Sequence, residues 1–260
     1  MNIKAVTWSF RHQALQFLAD PQWIIPSIIA PFLFTVVALY MYGDVDGPVV
    51  LTAVLGGGVL GMWGNTLFTS GYSVSYDRYN GTIEPIMLTP THLIDVIAGR
   101  CIWNTFIGLL NAGLVFIAAQ VIFRVGVNVL DPLPFFLMLA MTLLALASIG
   151  MMFAALYVLT RASFVIMTIM EFPIYVFSGA LFPVSSLGSL APISYFLAPT
   201  WGVDAMKIAG ISGYESMASF GILFDVGMMF LLMFLYILAG IFLFKAIERK
   251  ICENGSLARY

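Results

Sequence analysis

The chain has 260 residues, of which 61% are hydrophobic and only 9% charged, with a mean hydropathy of +1.00. An ordinary soluble domain is about 45–50% apolar and roughly 25% charged, so this composition excludes an ordinary cytosolic enzyme and points to a bilayer as the solvent. The formal net charge of −2 leaves no basic field for nucleic acid, and the apolar content excludes disorder.

Residues 1–22 predict an amphipathic helix, with Ile3, Val6, Phe10, Ala14, Phe17 and Leu18 three to four apart and Asp20-Pro21 as its end. Such a helix lies in the membrane interface. The first twenty residues hold Lys4, Arg11, His12 and Asp20 and no continuous apolar run. The expectation is therefore no cleavable signal peptide, with the first span acting as its own insertion signal.

About 20 apolar residues cross a hydrocarbon core of about 30 Å, and six such stretches follow. They are Trp23–Tyr42, which holds Pro26 and Pro31, Val49–Tyr72, Cys101–Phe123, Leu133–Leu159, Ala162–Phe182 and Phe220–Phe244. Gly57 and Gly61 in the second give a GxxxG face for close helix approach. With six spans, Lys4, Arg11, Arg78, Arg100, Arg161, Lys245, Arg249, Lys250 and Arg259 share the side of both termini, against Arg124 and Lys207 opposite. That bias places both termini in the cytoplasm. Cys101 and Cys252 then fall near the reducing side and read as free thiols.

The stretch 183–219 is apolar but broken by Pro183, Pro192 and Pro199. It predicts a re-entrant hairpin, tolerated at membrane depth only where protein covers it. No repeat or low-complexity tract divides the chain, so residues 1–260 read as a single all-α transmembrane domain.

The longest cytoplasmic stretch, residues 73–100, carries the densest punctuation. Tyr76 to Tyr79 extend the second span, including Asp77 and Arg78; Asn80-Gly81 breaks that helix with a left-handed glycine cap. Thr82 is placed to N-cap a short helix, with Glu84 near its positive end. Ile83, Ile86, Met87 and Leu88 give it an apolar face, and Thr89-Pro90 starts the next helix. A capped, partly apolar helix just outside the membrane suits a groove on a soluble partner.

Glu171 sits mid-span, where an unpaired charge costs about 2.5–3.5 kcal/mol. Two readings stay open: a polar group in a translocation path, or a structural carboxyl bonded to Asn65, Asn104 or Asn111. Phe172 and Tyr175 beside it, with Phe177, Trp63 and Phe68, either line a pathway or pack spans. A rival class is a polytopic membrane enzyme on a lipid-linked substrate, for which Asp44-Val45-Asp46 resembles a metal-holding pair of carboxylates. His12 and His92 are both on cytoplasmic segments, which rules out a membrane-embedded Ser–His pair. No filter-like loop or arginine-rich span supports a channel.

The segment Tyr79-Asn80-Gly81-Thr82-Ile83-Glu84-Pro85-Ile86-Met87-Leu88-Thr89-Pro90 resembles the coupling helix of ABC-2 type exporter membrane subunits, which have the type V ABC transporter fold. Ser178-Gly179-Ala180-Leu181-Phe182-Pro183, followed by Leu187, Pro192, Pro199 and Asp204, is similar to that family's segment after the fifth span. The amphipathic start ending in Asp20-Pro21 is a third match; Pro85 departs from the pattern. The resemblance implies a half-transporter that pairs with a second permease, identical or homologous, and with two copies of a cytoplasmic ATPase subunit. It implies ATPase coupling through Asp77, Arg78, Gly81, Thr82, Glu84, Pro85 and Met87, and a substrate pathway at Asn65, Glu171, Phe172 and Tyr175. The chain contains no GxxxxGK[ST] phosphate loop. ATP and Mg are thus expected in the partner, and no catalytic residue, metal or cofactor here. The implied setting is the lipid of the plasma (cell inner) membrane. The implied cargo is an amphipathic drug, peptide, lipid or lipid-linked glycan.

Overall fold

The computed structural model describes residues 2–19, 21–42, 47–64, 66, 70, 73, 76–77, 79–82, 85–86, 88–122, 129–159, 163–181, 183–217 and 220–254. Among them the fold is all-helical: α1 (Ile3–Ala19), α2 (Pro21–Tyr42), α3 (Gly47–Trp63), α4 (Leu93–Ile122), α5 (Pro132–Leu159), α6 (Ser163–Phe177), a 3-10 turn (Val184–Leu190), α7 (Ala191–Ser194), α8 (Ala198–Gly210) and α9 (Ile222–Asn254). Three helices are long and apolar enough to cross a membrane, over Leu93–Val121, Pro132–Val158 and Ile222–Arg249. Shorter apolar helices cover Ser27–Val37, Leu51–Trp63 and Thr168–Phe177.

The helices pack as two groups. α1, α2 and α3 gather on α4, and α8 and α9 gather on α5, with α4 against α5 joining them. The main core runs through the join: Leu51, Leu55, Met62 and Trp63 of α3 meet Ala112 and Val115 of α4 and Phe135, Leu146 and Ile149 of α5. Outward faces are apolar, as in Leu33 and Val37 of α2, Leu114 and Ile117 of α4 and Phe234 and Leu238 of α9. That is the pattern of a bundle solvated by lipid.

Several boundaries differ from expectation. α4 begins at Leu93, eight residues before the expected span and past Thr89-Pro90, because its first turn is satisfied from elsewhere in the chain. The backbone N–H of Leu93 donates to Glu248 Oε1 of α9 (2.9 Å). Asp95, buried in that first turn, accepts the N–H of Asn2 (2.8 Å). α9 runs ten residues beyond Phe244, carrying its charged tail as helix. Asp225 and Glu248 are about 35 Å apart along it. α6 has 15 residues, about 22 Å, and ends in a turn at Ser178–Leu181.

α1 lies across α4 with part of its expected apolar stripe turned inward. Ser9 and Gln13 are buried there, while Ile3 and Leu18 are exposed. Ser9 Oγ donates to the Val96 carbonyl (2.6 Å), and Phe10 and Phe17 set their rings edge-on to Trp103.

The stretch 183–217 folds as short helices, with α8 almost wholly buried against α5 and α9. Its last carbonyls, Ala209 and Gly210, accept the N–H groups of Asp131 and Leu130, so the buried helix end leaves none of these groups orphaned.

The glycine face of α3 makes a close approach to α2. A Cβ on Gly57 would stand 1.7 Å from Thr35 Oγ1 and 3.1 Å from the Pro31 carbonyl, and one on Gly61 would stand 2.6 Å from Pro31 Cγ. Rotating Thr35 away would break the bond of its hydroxyl to the Pro31 carbonyl (2.9 Å). Gly57→Ala is therefore expected to cost about 1–3 kcal/mol. Gly113→Ala, with open space around its Cβ position, should be neutral or stabilising by up to about 1 kcal/mol. Thermal melts of the two purified variants in detergent check this; equal melting points would contradict the packing described.

Candidate functional site

The segment after α3 ends in a tightly capped turn. Tyr76, Asp77 and Tyr79 are helical, and Gly81 takes the left-handed conformation at φ 68°. The N–H of Thr82 reaches back to the Asp77 carbonyl (2.8 Å) and the N–H of Asn80 to the Tyr76 carbonyl (3.0 Å). With Gly81 at the left-handed position, this is a Schellman-type stop.

The Thr82 hydroxyl lies 3.1 Å from Asp77 Oδ1 and 3.2 Å from the Asp77 carbonyl. The Thr82 carbonyl accepts the Ile86 N–H (3.2 Å), as the residue at the N-cap of the next turn does. Thr89 Oγ1 closes it by donating to the Ile86 carbonyl (2.6 Å). Tyr79 and Leu88 stand out on either side, 91% and 87% exposed.

What fixes this turn to the bundle is a buried ion pair. Arg100, on the second turn of α4, sets Nη1 2.5 Å from Asp77 Oδ2, with both side chains under a tenth exposed. The same nitrogen donates to the Ser73 carbonyl (3.2 Å), and Asn104, one turn further on, donates to Ser70 Oγ (3.0 Å). Arginine stays charged in any protein setting, so Asp77 is the counter-charge that makes its burial tolerable. On the other side of α4, Glu248 caps Leu93 and lies 3.4 Å from His92 Nδ1. α9, α4 and the turn are thus tied at one end of the bundle.

Between α1 and the turn lies a groove of about 740 Å³, lined on one side by Trp8, His12 and Gln16 and on the other by Tyr76, Asn80 and Ile86. It opens to the surface beside exposed Thr82 and Pro85. It has the shape and mixed chemistry of a docking surface.

The structure therefore brings Asp77, Gly81, Thr82 and Pro85 together. Arg78, Glu84 and Met87 of the same expected set lie outside the described residues, as do Asn65 and the Asp44–Asp46 pair. Glu171 and Phe172 belong to α6, but their side chains are outside the described set. Tyr175, on α6, has its ring 6.4 Å from that of Phe34 on α2. Asn104 donates to Ser70, and Asn111 to the Ser27 carbonyl (2.8 Å). Arg100, Asp95 and Glu248 escaped the sequence reading; the available signal was a buried-length helix carrying charges that need partners. No group of three or more His, Cys, Asp or Glu suited to a metal exists among the described residues.

A second polar cluster forms at the opposite end, where α8 meets α9. Asp204 is buried on α8 and accepts the Tyr214 hydroxyl (2.8 Å), the Ser216 hydroxyl (3.0 Å) and the Met217 N–H (3.0 Å). Lys207, one turn on, donates to the Gly179 carbonyl (2.6 Å), tying α8 to the turn after α6. Burial pushes the Lys207 ammonium down to about 8, against the pull of Asp204. Burial and then Asp204 push the Tyr214 phenol well up, which keeps it a donor.

The sequence pattern of the ABC-2 type transporters matches residues 4–210. That range takes in α1 through α8, the capped turn and the Asp204–Lys207 pair. No individual curated protein matches the chain.

The ion pair makes a clear prediction. Asp77→Ala leaves Arg100 buried without a counter-charge and should cost about 3–5 kcal/mol, whereas Asp77→Leu combined with Arg100→Met should recover most of that. Melting curves of the single and double variants in one detergent check it. A double variant no more stable than the single would contradict the pairing.

Proposed function

The chain belongs to the ABC-2 type transporter family, and from that premise we propose that it is the permease subunit of an ATP-driven exporter. The observation that carries this reading is the capped turn at Asp77–Ile86, held to α4 by the buried Asp77–Arg100 pair. A partner pressing on an unanchored loop would only bend it. Pressed here, the turn passes its displacement to α4 through Arg100, and to α9 through the Glu248 cap on the same helix.

In this proposal the groove between α1 and the turn receives a separate cytoplasmic ATPase subunit, two copies per complex, which holds ATP and Mg. Glu84 and Met87, on the turn by sequence, complete the contact with Gly81, Thr82 and Pro85. Two permeases pair, identical or homologous. The three long helices and the three shorter apolar ones make the six spans of each, with both termini cytoplasmic in the plasma (cell inner) membrane. An amphipathic substrate then crosses by alternating access along a path at Asn65, Glu171, Phe172 and Tyr175. The contact of Tyr175 with Phe34 supports placing that path between α6 and α2.

Transport reconstituted with the cognate ATPase tests the proposal. Glu84→Lys should lower transport at least about fivefold and uncouple ATP hydrolysis from substrate, with the permease still folded and inserted. Normal transport with normal substrate stimulation would remove the docking assignment. Cross-linking in membranes should trap two permeases per complex; an active preparation with one would remove the pairing.

A further inference from the structure

α1 has two sides, and the bundle uses only one. On the inner side Ser9 and Gln13 are buried, and Phe10 and Phe17 meet Trp103 of α4. Asn2 donates to Asp95, and Ser9 to the Val96 carbonyl. Gly99 lets the two backbones approach: a Cβ there would stand 2.3 Å from the Val6 carbonyl oxygen and 2.9 Å from Ser9 Cβ. α1 is therefore a fixed part of the bundle, and whatever meets its other side meets a rigid surface.

Residues four, seven and eleven positions apart share a helix face. The face turned away from α4 reads Lys4, Trp8, Arg11 and Leu15, with Leu18 one turn on. All five are exposed, Trp8, Leu15 and Leu18 by 60% or more. The Arg11 guanidinium lies over the Trp8 ring, 5.4 Å from its centroid. α1 holds no Asp or Glu, and among the described residues neither Lys4 nor Arg11 forms an ion pair with a carboxylate. Water alone suits the two cations but not the tryptophan and leucines; acyl chains alone suit the reverse. The boundary of a bilayer, with phosphates above and chains below, receives both. The apolar surface also continues onto α2, which starts at Pro21 and exposes Ile25, Ile28 and Ile29. The headgroup that answers two unpaired cations is an anionic one.

We propose that this face of α1 is a binding surface for anionic phospholipid of the cytoplasmic leaflet. Lys4 and Arg11 take the phosphates, Trp8 sits at headgroup level beneath the Arg11 guanidinium, and Leu15 and Leu18 enter the chain region. Trp8 also lines the groove that faces the capped turn, so bound lipid steadies one wall of that groove. Assignment to the cytoplasmic leaflet rests on the exporter reading; the lipid-binding chemistry of the face does not.

The full chain in phosphatidylcholine nanodiscs, with and without about 30% phosphatidylglycerol, tests this. The anionic lipid should raise the native melting point by about 4–8 °C. Lys4→Gln combined with Arg11→Gln should lose at least about half of that rise, while melting like the native chain in phosphatidylcholine alone. Lys245→Gln removes an exposed cation of α9 and should keep most of the rise. No rise in the native chain, a full rise in the double variant, or an equal loss in Lys245→Gln overturns the proposal. Inorganic phosphate added to the phosphatidylcholine discs should leave the melting point unchanged; a rise equal to that from the lipid would make this a free-anion site and overturn the lipid assignment. A second readout is independent of stability. Phosphatidylglycerol with brominated chains should quench tryptophan emission more than brominated phosphatidylcholine does, and Trp8→Phe should remove most of that difference. Equal quenching by the two lipids, or a difference kept without Trp8, overturns the proposal. No ATPase or transport enters these measurements, so their failure and that of the exporter reading are distinguishable.

Discussion

A charge that cannot be discharged, set inside an apolar bundle, organises this protein. Arg100 is buried near the start of α4 and must be answered from within, and Asp77 answers it. That single requirement fixes where the segment leaving α3 returns to the bundle. It sets the Schellman stop at Gly81 against α4 and places the exposed faces of Thr82 and Pro85 beside the groove under α1. Small glycine contacts between α2 and α3 let the helices come close enough for the rest of the core to close around them.

α9 makes its contacts at both ends. One end offers Glu248 to the open N-terminus of α4; the other packs on α8, with Asp225 buried in its first turn. About 35 Å of mostly apolar helix separates the two, slightly more than a hydrocarbon core of about 30 Å. α9 is thus a strut with the first group of helices linked to it at one end and α8 at the other.

Hydropathy made much of this readable in advance. Leu133–Leu159 was expected and Pro132–Leu159 is found, because an apolar run with no internal charge leaves helix as the only structure that satisfies its backbone in lipid. The left-handed Gly81 was also legible, since Asn-Gly after a helix signals its own cap. Partners distant in sequence were not. α4 starts early because Glu248, 155 residues away, caps it, and no local pattern encodes that. Thr82 carries its carbonyl into the next turn as an N-cap residue does, but the contact of its hydroxyl with Asp77 has no local signature. On α1, Phe10 and Phe17 of the apolar stripe do meet α4, but the burial of Ser9 and Gln13 beside them, with Ser9 bonded to the Val96 carbonyl, depends on a partner 87 residues away that no local pattern shows. Asp204 and Lys207 offered a signal, two charges one turn apart in an apolar stretch, but the donors on Asp204 come from a loop whose return the sequence does not show.

The central claim is that the Asp77–Arg100 turn and the Asp204 cluster lie on opposite faces of one membrane. Single cysteines at Asn80 and Ser212, both exposed, placed in a chain freed of Cys101 and Cys252, test it directly. With a membrane-impermeant thiol reagent, Asn80→Cys should react in inverted vesicles and not in intact cells, and Ser212→Cys should do the reverse. Reaction of both from the same side would contradict the account.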